Sequence, residues 1–419
     1  MYRLRSLLLA LALVMTACGG SDDAVESTPS TEAPTSSSEA STTSTAAETT
    51  TTALEMARVT TNIVGADEPL AAAIALVYEQ ALNPGQESFI RLPAGLAEQF
   101  SSRASQFGEV TLQGSVATGR ILETDVAVFT SGTDVVLLAG EPGVAEGASV
   151  TWQVVGAKLT SLDEPAWYGD GPRLVLVLGS DARPGQRVEG FRADSVHIVG
   201  TVAASGQGSI VGIPRDSWVE TSYGGSSKLT NTMASRGPAV VLDTVKGLTQ
   251  LDLEGYLLTG FAGFEDLVDA FGGFTIDVPY GMSDPKSDAY FSSGVQDFDG
   301  ADALAFARNR TDTPNGDFGR SLNHGLLMLA AMPEVQAMGI DELPGLLEIL
   351  MTYVTTDLSA GDLLAIAASS YELDPEQVTN LVVPGRVGST SGGASVVFLG
   401  DGATAVFEDV ADGVLDGDY

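Results

Sequence analysis

Two aspartates and a small set of arginines, held in short motifs, carry the chemistry of this chain. The motifs are Gly179–Arg183 (GSDAR), Phe191–Ser195 (FRADS), Ile213–Asp216 (IPRD) and Arg308–Arg310 (RNR). Arginine forks grip phosphate oxygens in bidentate fashion, and paired carboxylates such as Asp181 and Asp194 hold a hard cation such as Mg²⁺. Together they describe a site for a metal-bound polyphosphate. The clustering matters because the chain is acidic, with 55 Asp+Glu against 20 Lys+Arg and a net charge of −35. Twelve of those 20 cations lie between Arg173 and Arg320. The overall field argues against nucleic acid as a partner and against adhesion to anionic lipid, so an anion site has to be built locally.

Short apolar runs lead into the motifs. Arg173–Leu178 reads as a strand ending in Gly179-Ser180-Asp181. Val196–Val202 is a second strand, and Ser209–Ile213 a third that runs into Pro214-Arg215-Asp216. Chemistry just past strand C-termini is where open α/β sheets bind ligands. Pro238–Thr249 and Phe261–Phe271 have helical apolar spacing, the second stopped by Gly272-Gly273. Phe274–Val278 reads as a strand and Gly300–Arg308 as a helix opened by Asp299. Ser321–Met332, Leu343–Val354, Ala360–Ser370 and Pro375–Val382 continue an α/β pattern to about Leu415. Arg308 and Arg310 diverge on one helical turn. They converge only if the helix ends near Arg308, which the Thr/Pro/Gly stretch Thr311–Gly316 favours.

Residues 1–17 read as a signal peptide. Arg3 and Arg5 precede an apolar run from Leu7 to about Met15, too short to span a bilayer. Met15-Thr16-Ala17-Cys18-Gly19 resembles a lipoprotein processing box, and Cys18 is the single cysteine, so no intrachain disulfide is expected. A diacylated Cys18 anchors stably, since two acyl chains hold where one is marginal. Residues 18–55 form a linker, in which 18 of the 33 residues Ser21–Ala53 are Ser or Thr. Such a segment buries too little apolar surface to fold and spans about 30 Å as a coil. Residues 56–165 mix helical and strand signals: helices at Pro69–Leu82 and Leu96–Phe107, strands at Arg120–Thr124, Val126–Phe129, Val135–Leu138 and Val150–Val155, and a hairpin signal at Ser131-Gly132. This is expected to be a small α/β or α+β domain of unassigned role, bounded by Asp163–Pro172.

From Leu174 to Leu415 the ordered motifs LVLVLGSDAR, FRADSV, SIVGIPRDSWV, GYLLTGFAGFEDLVDAFGGFTIDVP, FDGADALAFARNR and DFGRSLNHGLLMLAAM resemble the LytR–CpsA–Psr family of cell-envelope proteins. The resemblance implies a three-layer α/β/α domain over residues 170–415 with an apolar tunnel for a polyprenyl chain. It implies a phosphotransferase that moves a glycopolymer from an undecaprenyl-pyrophosphate carrier to a peptidoglycan hydroxyl at the outer leaflet of the cytoplasmic membrane. By the same resemblance Asp181 and Asp194 bind Mg²⁺, or Mn²⁺ in its place. Arg192, Arg215, Arg308 and Arg310 grip the pyrophosphate, with Lys228 and Arg320 beside them. The chain departs from the family pattern at Lys228-Leu229-Thr230, where an Asn is expected third, and at Asn323-His324, where Arg-Gln is common. It also carries a lipoprotein box in place of a transmembrane helix.

The same residues have plainer readings. Each aspartate alone serves as a cap, Arg215 pairs with Asp216, and Arg320 pairs with Asp317. His197, in an apolar strand, is read as a structural histidine, while His324 is a candidate for the substrate site. Arg183, Arg187 and Arg236 are read as surface charge. Asp181, if only loosely ligated, is the candidate general base. Two alternatives to the transferase stand: a polyprenyl-phosphate-binding regulatory module and a lipid pyrophosphatase. The His-Glu-x-x-His and Walker A patterns are absent.

Overall fold

A computed structural model describes residues 56–85, 90–141, 150–417 and 419. The signal segment, Cys18 and the Ser/Thr-rich linker lie outside the described residues. The first sheet comprises β1 (Arg58–Val64), β2 (Glu109–Ile121), β3 (Thr124–Ser131), β4 (Asp134–Gly140), β5 (Trp152–Leu159) and β6 (Glu164–Trp167), in that spatial order. Only the β1–β2 pair is parallel. One face is covered by α1 (Glu68–Leu82) and α2 (Ala94–Ser101). Asp67 caps α1 by accepting from the Leu70 N–H at 3.0 Å. The i, i+4, i+7, i+8 spacing of Leu70, Ile74, Val77 and Tyr78 then drives one stripe into Phe129, Val136 and Leu138.

The second sheet holds the motifs. Its first strands are β7 (Arg173–Ser180), β8 (Ala193–Val202) and β9 (Gln207–Gly212). A hairpin, β10 (Trp218–Glu220) with β11 (Ser226–Lys228), leads to α3 (Leu229–Arg236) and α4 (Pro238–Thr249). Then follow β12 (Tyr256–Gly260), α5 (Phe261–Phe271), the small strands β13 (Phe274–Val278), β14 (Met282–Asp284), β15 (Ala289–Phe291) and β16 (Gly294–Phe298), and α6 (Gly300–Arg308). The chain continues through α7 (Asp317–Ala337), α8 (Leu343–Tyr353), β17 (Thr355–Thr356), α9 (Ala360–Ser370), β18 (Val378–Val382), the hairpin β19 (Gly385–Ser389) with β20 (Ser395–Leu399), and α10 (Asp401–Asp409). The central sheet runs β17-β12-β7-β8-β9-β18.

Alternation along β7 builds the layers. Leu174, Leu176 and Leu178 face a core with Met233, Val241, Val245 and Phe407 from α3, α4 and α10. Val175 faces the other way, toward α8 and α9. This is the three-layer α/β/α arrangement. A further apolar layer joins the two sheets: Val126, Val128, Val135 and Leu137 of the first pack with Leu343, Leu347, Leu363 and Leu364 of α8 and α9. From Leu54 to Tyr419 the chain is one compact unit.

Several local expectations are corrected. Arg120–Thr124 is not a strand of its own: Arg120 and Ile121 end β2, Thr124 opens β3, and Leu122-Glu123 between them form the hairpin corner with φ values of 48° and 64°. The helix expected over Leu96–Phe107 spans Ala94–Ser101. The strand expected at Val150–Val155 lies at Trp152–Leu159. Among the described residues no helix is long and apolar enough to cross a membrane.

Candidate active site

Asp181 follows β7, and Arg192 and Asp194 bracket the start of β8, so the antiparallel β7–β8 pair puts all three at one sheet end. The Arg192 N–H donates to Asp181 Oδ1 at 2.9 Å, and its Nε and Nη2 donate to Oδ2 at 2.9 and 2.7 Å. That hydrogen bonding to Asp181 raises the pKa of an already cationic guanidinium. Arg215, delivered by the chain past β9, donates to Asp194 Oδ1 and not to Asp216. Asp216 instead holds Lys228 at 3.0 Å.

α6 ends at Arg308, as convergence requires. Buried Asn309 turns extended, with φ −62° and ψ 131°, and its amide donates to Asp312 at 3.1 Å. Arg308 lies over the Phe261 ring, 5.4 Å from its centroid. Arg310 approaches Asp317 at 3.5 Å. Asp317 also holds Arg320 at 2.7 Å and approaches Arg215 at 3.8 Å, making it the carboxylate that gathers three guanidiniums. Its pairing thus extends beyond Arg320, its neighbour three residues on, to Arg215 and Arg310. Arg320 is 6% exposed and its pKa is lowered, first by burial. Nε of Arg215 and Nε of Arg320 are buried without a hydrogen bond, although Asp317 Oδ1, itself without one, stands 3.8 Å from Arg215 Nε. Buried, unmatched guanidinium donors call for an anionic oxygen.

These groups stand at the mouth of a cavity of about 960 Å³. Asp181, Arg192, Asp194, Arg308, Arg320 and His324 all line it, and so does Arg183, which had been read as surface charge. Arg215 and Arg310 are not in the lining: Arg215 is bonded to Asp194, which is, and Arg310 connects only through Asp317, which holds Arg320. Lys228 is not part of the lining. Apolar walls come from Phe261, Phe264, Leu267 and Phe271 on α5 and from Leu327, Met328 and Val335 on α7. Three α5 phenylalanines, Phe261, Phe264 and Phe271, therefore border this space.

Two histidines lie beneath the mouth. His197 is fully buried, and burial pushes it down to about 4. Its Nε2 meets the Ser321 carbonyl at 2.9 Å and its Nδ1 meets Ser195 Oγ at 3.0 Å. The His324 ring is 5.5 Å away, and its Nε2 donates to the Ala307 carbonyl at 2.8 Å. Burial, then the nearby His197 and Arg320, hold His324 well below the usual histidine range.

Among the described residues no three His, Cys, Asp or Glu side chains gather as a metal cage. Mg²⁺ often takes only one or two carboxylates, with water and substrate oxygens completing the shell. Asp181 and Asp194 thus fit an ion that arrives with a polyphosphate, provided it competes with Arg192 and Arg215 for their oxygens. The arrangement can grip a polyphosphate at the mouth and enclose an apolar chain behind it.

The chain is 29% identical over 198 residues to the polyisoprenyl-teichoic acid–peptidoglycan teichoic acid transferase TagU of Enterococcus faecalis, covering 47% of this chain and 65% of the relative. It is 26% identical over 249 residues to the transferase of the same description, TagV, of Bacillus subtilis, covering 57% and 60%. The chain thus spans less than two thirds of the length of either relative. Its fold matches the crystal structure of B. subtilis TagV with a TM-score of 0.51 and 22% identity, over 60% of this chain and all of that one. Protein gbs0355 from Streptococcus agalactiae matches with a TM-score of 0.50 and 22% identity, over 57% and 86%. The LytR_cpsA_psr family model matches residues 152–408, from β5 of the first sheet to α10. The chain therefore belongs to the LytR_cpsA_psr family.

Proposed function

We propose that this chain is a cell-envelope phosphotransferase that moves a glycopolymer, with its attached phosphate, from a polyprenyl-pyrophosphate carrier to a peptidoglycan hydroxyl. The observation that carries this reading is the union of an arginine–aspartate mouth with an apolar cavity of about 960 Å³. A lipid pyrophosphate has that division of chemistry: a charged head and a long hydrocarbon tail. Arg192, Arg215, Arg308, Arg310 and Arg320 bind and orient the two phosphates and oppose the charge that builds on their oxygens. Positioning and electrostatics supply most of the catalysis of phosphoryl transfer. Asp181 and Asp194 would hold Mg²⁺, which when bound supplies Lewis-acid polarisation of the phosphoryl oxygens. Asp181 is the candidate base, once its carboxylate is released from Arg192. Asp317 keeps Arg215, Arg310 and Arg320 convergent. Lys228, held by Asp216 outside the lining, keeps only a peripheral substrate-binding role in this reading. Cys18 is proposed to anchor the protein to the outer leaflet of the cytoplasmic membrane.

The test is purified protein with a lipid-pyrophosphate-linked glycan, peptidoglycan oligomers and Mg²⁺. A phosphodiester-linked product and polyprenyl phosphate are expected. Release of polyprenyl phosphate with water as the only acceptor would instead identify a pyrophosphatase. Tight lipid binding without turnover would identify a regulatory module.

A further inference from the structure

Within the central sheet, just under the mouth, three polar groups form a chain. Ser195 and His197 are two apart on β8 and so share one face. His197 Nε2 lies 2.9 Å from the Ser321 carbonyl, which can only accept, and 3.3 Å from Ser321 Oγ, which can accept or donate; the shorter contact with the obligate acceptor puts the proton on Nε2. The ring is buried and neutral, which leaves Nδ1 a bare lone pair. Ser195 Oγ, 3.0 Å from Nδ1, must therefore turn its one proton inward. Ser195 lines the cavity beside Asp181 and Asp194. What its hydroxyl offers the cavity is lone pairs alone.

The backbone leaves room for this chain at two places. Gly179 stands opposite Ser195, and a Cβ there would come within 2.9 Å of the serine Cβ. Gly212 stands opposite His197, and a Cβ there would come within 2.4 Å of Ser321 Oγ and 3.0 Å of His197 Nε2. Either contact is closer than packed atoms tolerate, so a side chain at either position would displace the serine, the histidine or Ser321.

A pure acceptor has nothing to give a phosphate diester, whose oxygens also accept. It suits a group that brings a proton of its own. We propose that Ser195 receives the hydrogen bond of the attacking sugar hydroxyl, and that His197 is the positioning residue that holds Ser195 in its accepting state. The proposal rests on the phosphotransferase reading. Ser195 aims the hydroxyl oxygen and leaves the removal of its proton to another group, because a buried imidazolium beside Arg320 is disfavoured.

The test is two-substrate kinetics of the full chain, varying the peptidoglycan oligomer and the lipid-linked donor separately. Ser195→Ala should lower kcat/KM for the oligomer roughly tenfold, the effect of one lost hydrogen bond, with the donor KM unchanged. Ser195→Thr should restore most of it. His197→Leu frees the serine hydroxyl to turn outward toward phosphate. It should reproduce the loss on the oligomer side while the donor KM falls. A Ser195→Ala enzyme altered only in its donor KM, or only in its Mg²⁺ requirement, would overturn the proposal; the second outcome would assign the hydrogen bond to a metal-bound water. Nitrogen NMR of the His197 ring gives an independent check, since a proton found on Nδ1 sinks the Ser195 role while leaving the transferase intact. A chain that makes no phosphodiester sinks the transferase reading first and this proposal with it.

Discussion

Helices α1 and α5 carry the same kind of apolar stripe and meet different fates. On α1, Leu70, Ile74, Val77, Tyr78 and Leu82 are each at most 2% exposed, pressed into the first sheet. On α5 only Val268 is buried, while Phe261, Phe264, Leu267 and Phe271 stay half-buried around the cavity. Four large apolar side chains left short of burial on one helix are costly unless something apolar covers them. An apolar stripe thus marks two different things: protein core in one region, and in the other the wall of the cavity proposed to take a lipid.

The comparison can be broken or sharpened by substitution. The largest effect is expected at the polar mouth that α5 serves. Arg215→Ala should lower glycan transfer by about a hundredfold to a thousandfold, as loss of an electrostatic stabiliser does, measured as turnover of the lipid-linked donor. Next comes the α1 stripe. Ile74→Ala should lower the free energy of unfolding by about 3 kcal/mol in a urea titration, with turnover by the folded enzyme unchanged. The buried His197 gives an effect of similar size that depends on pH. Its pKa is depressed from 6.5 to about 4 in the folded chain, so the unfolded state binds the extra proton first. Its contribution is complete above pH 6.5 and is lost as pH falls toward 4, up to about 3 kcal/mol in all. His197→Leu should flatten that arm of the stability profile. The smallest stability effect is expected on α5. Leu267→Ala should change unfolding by less than about 1 kcal/mol, yet weaken polyprenyl phosphate binding about fivefold to tenfold, seen by calorimetry. Equal stability losses at Ile74 and Leu267 would erase the distinction.

Much of this was legible in the sequence where local signals agree. Pro238–Thr249, Phe261–Phe271 and Gly300–Arg308 end where Pro, paired glycines and an aspartate cap say they should. β1 was missed because its RVTTNIV sequence is a polar, mostly exposed edge without alternation. The corner at Leu122-Glu123 was read as strand because neither residue signals a turn, although both adopt positive φ. α3, with sequence LTNTMASR, lacks an apolar stripe and is held by tertiary packing at Leu229 and Met233. The arginine motifs were visible, but the partnerships were not. Arg215 passes over its neighbour Asp216 for Asp194, 21 residues away, and Asp317 gathers cations from three segments. The Ser195–His197–Ser321 chain spans 126 positions and depends on two cross-strand glycines. One strand read alone shows only an apolar run with a histidine in it.

The layer joining the first sheet to α8 and α9 bears on how the protein can be divided. Family resemblance begins at residue 152, the first residue of β5. A fragment cut there would lose β1 to β4, bare the edge of β5, and strip cover from Leu343, Leu347, Leu363 and Leu364. An open strand edge beside a fresh apolar flank invites self-association. The part that carries the family likeness therefore borrows part of its apolar cover from strands outside it.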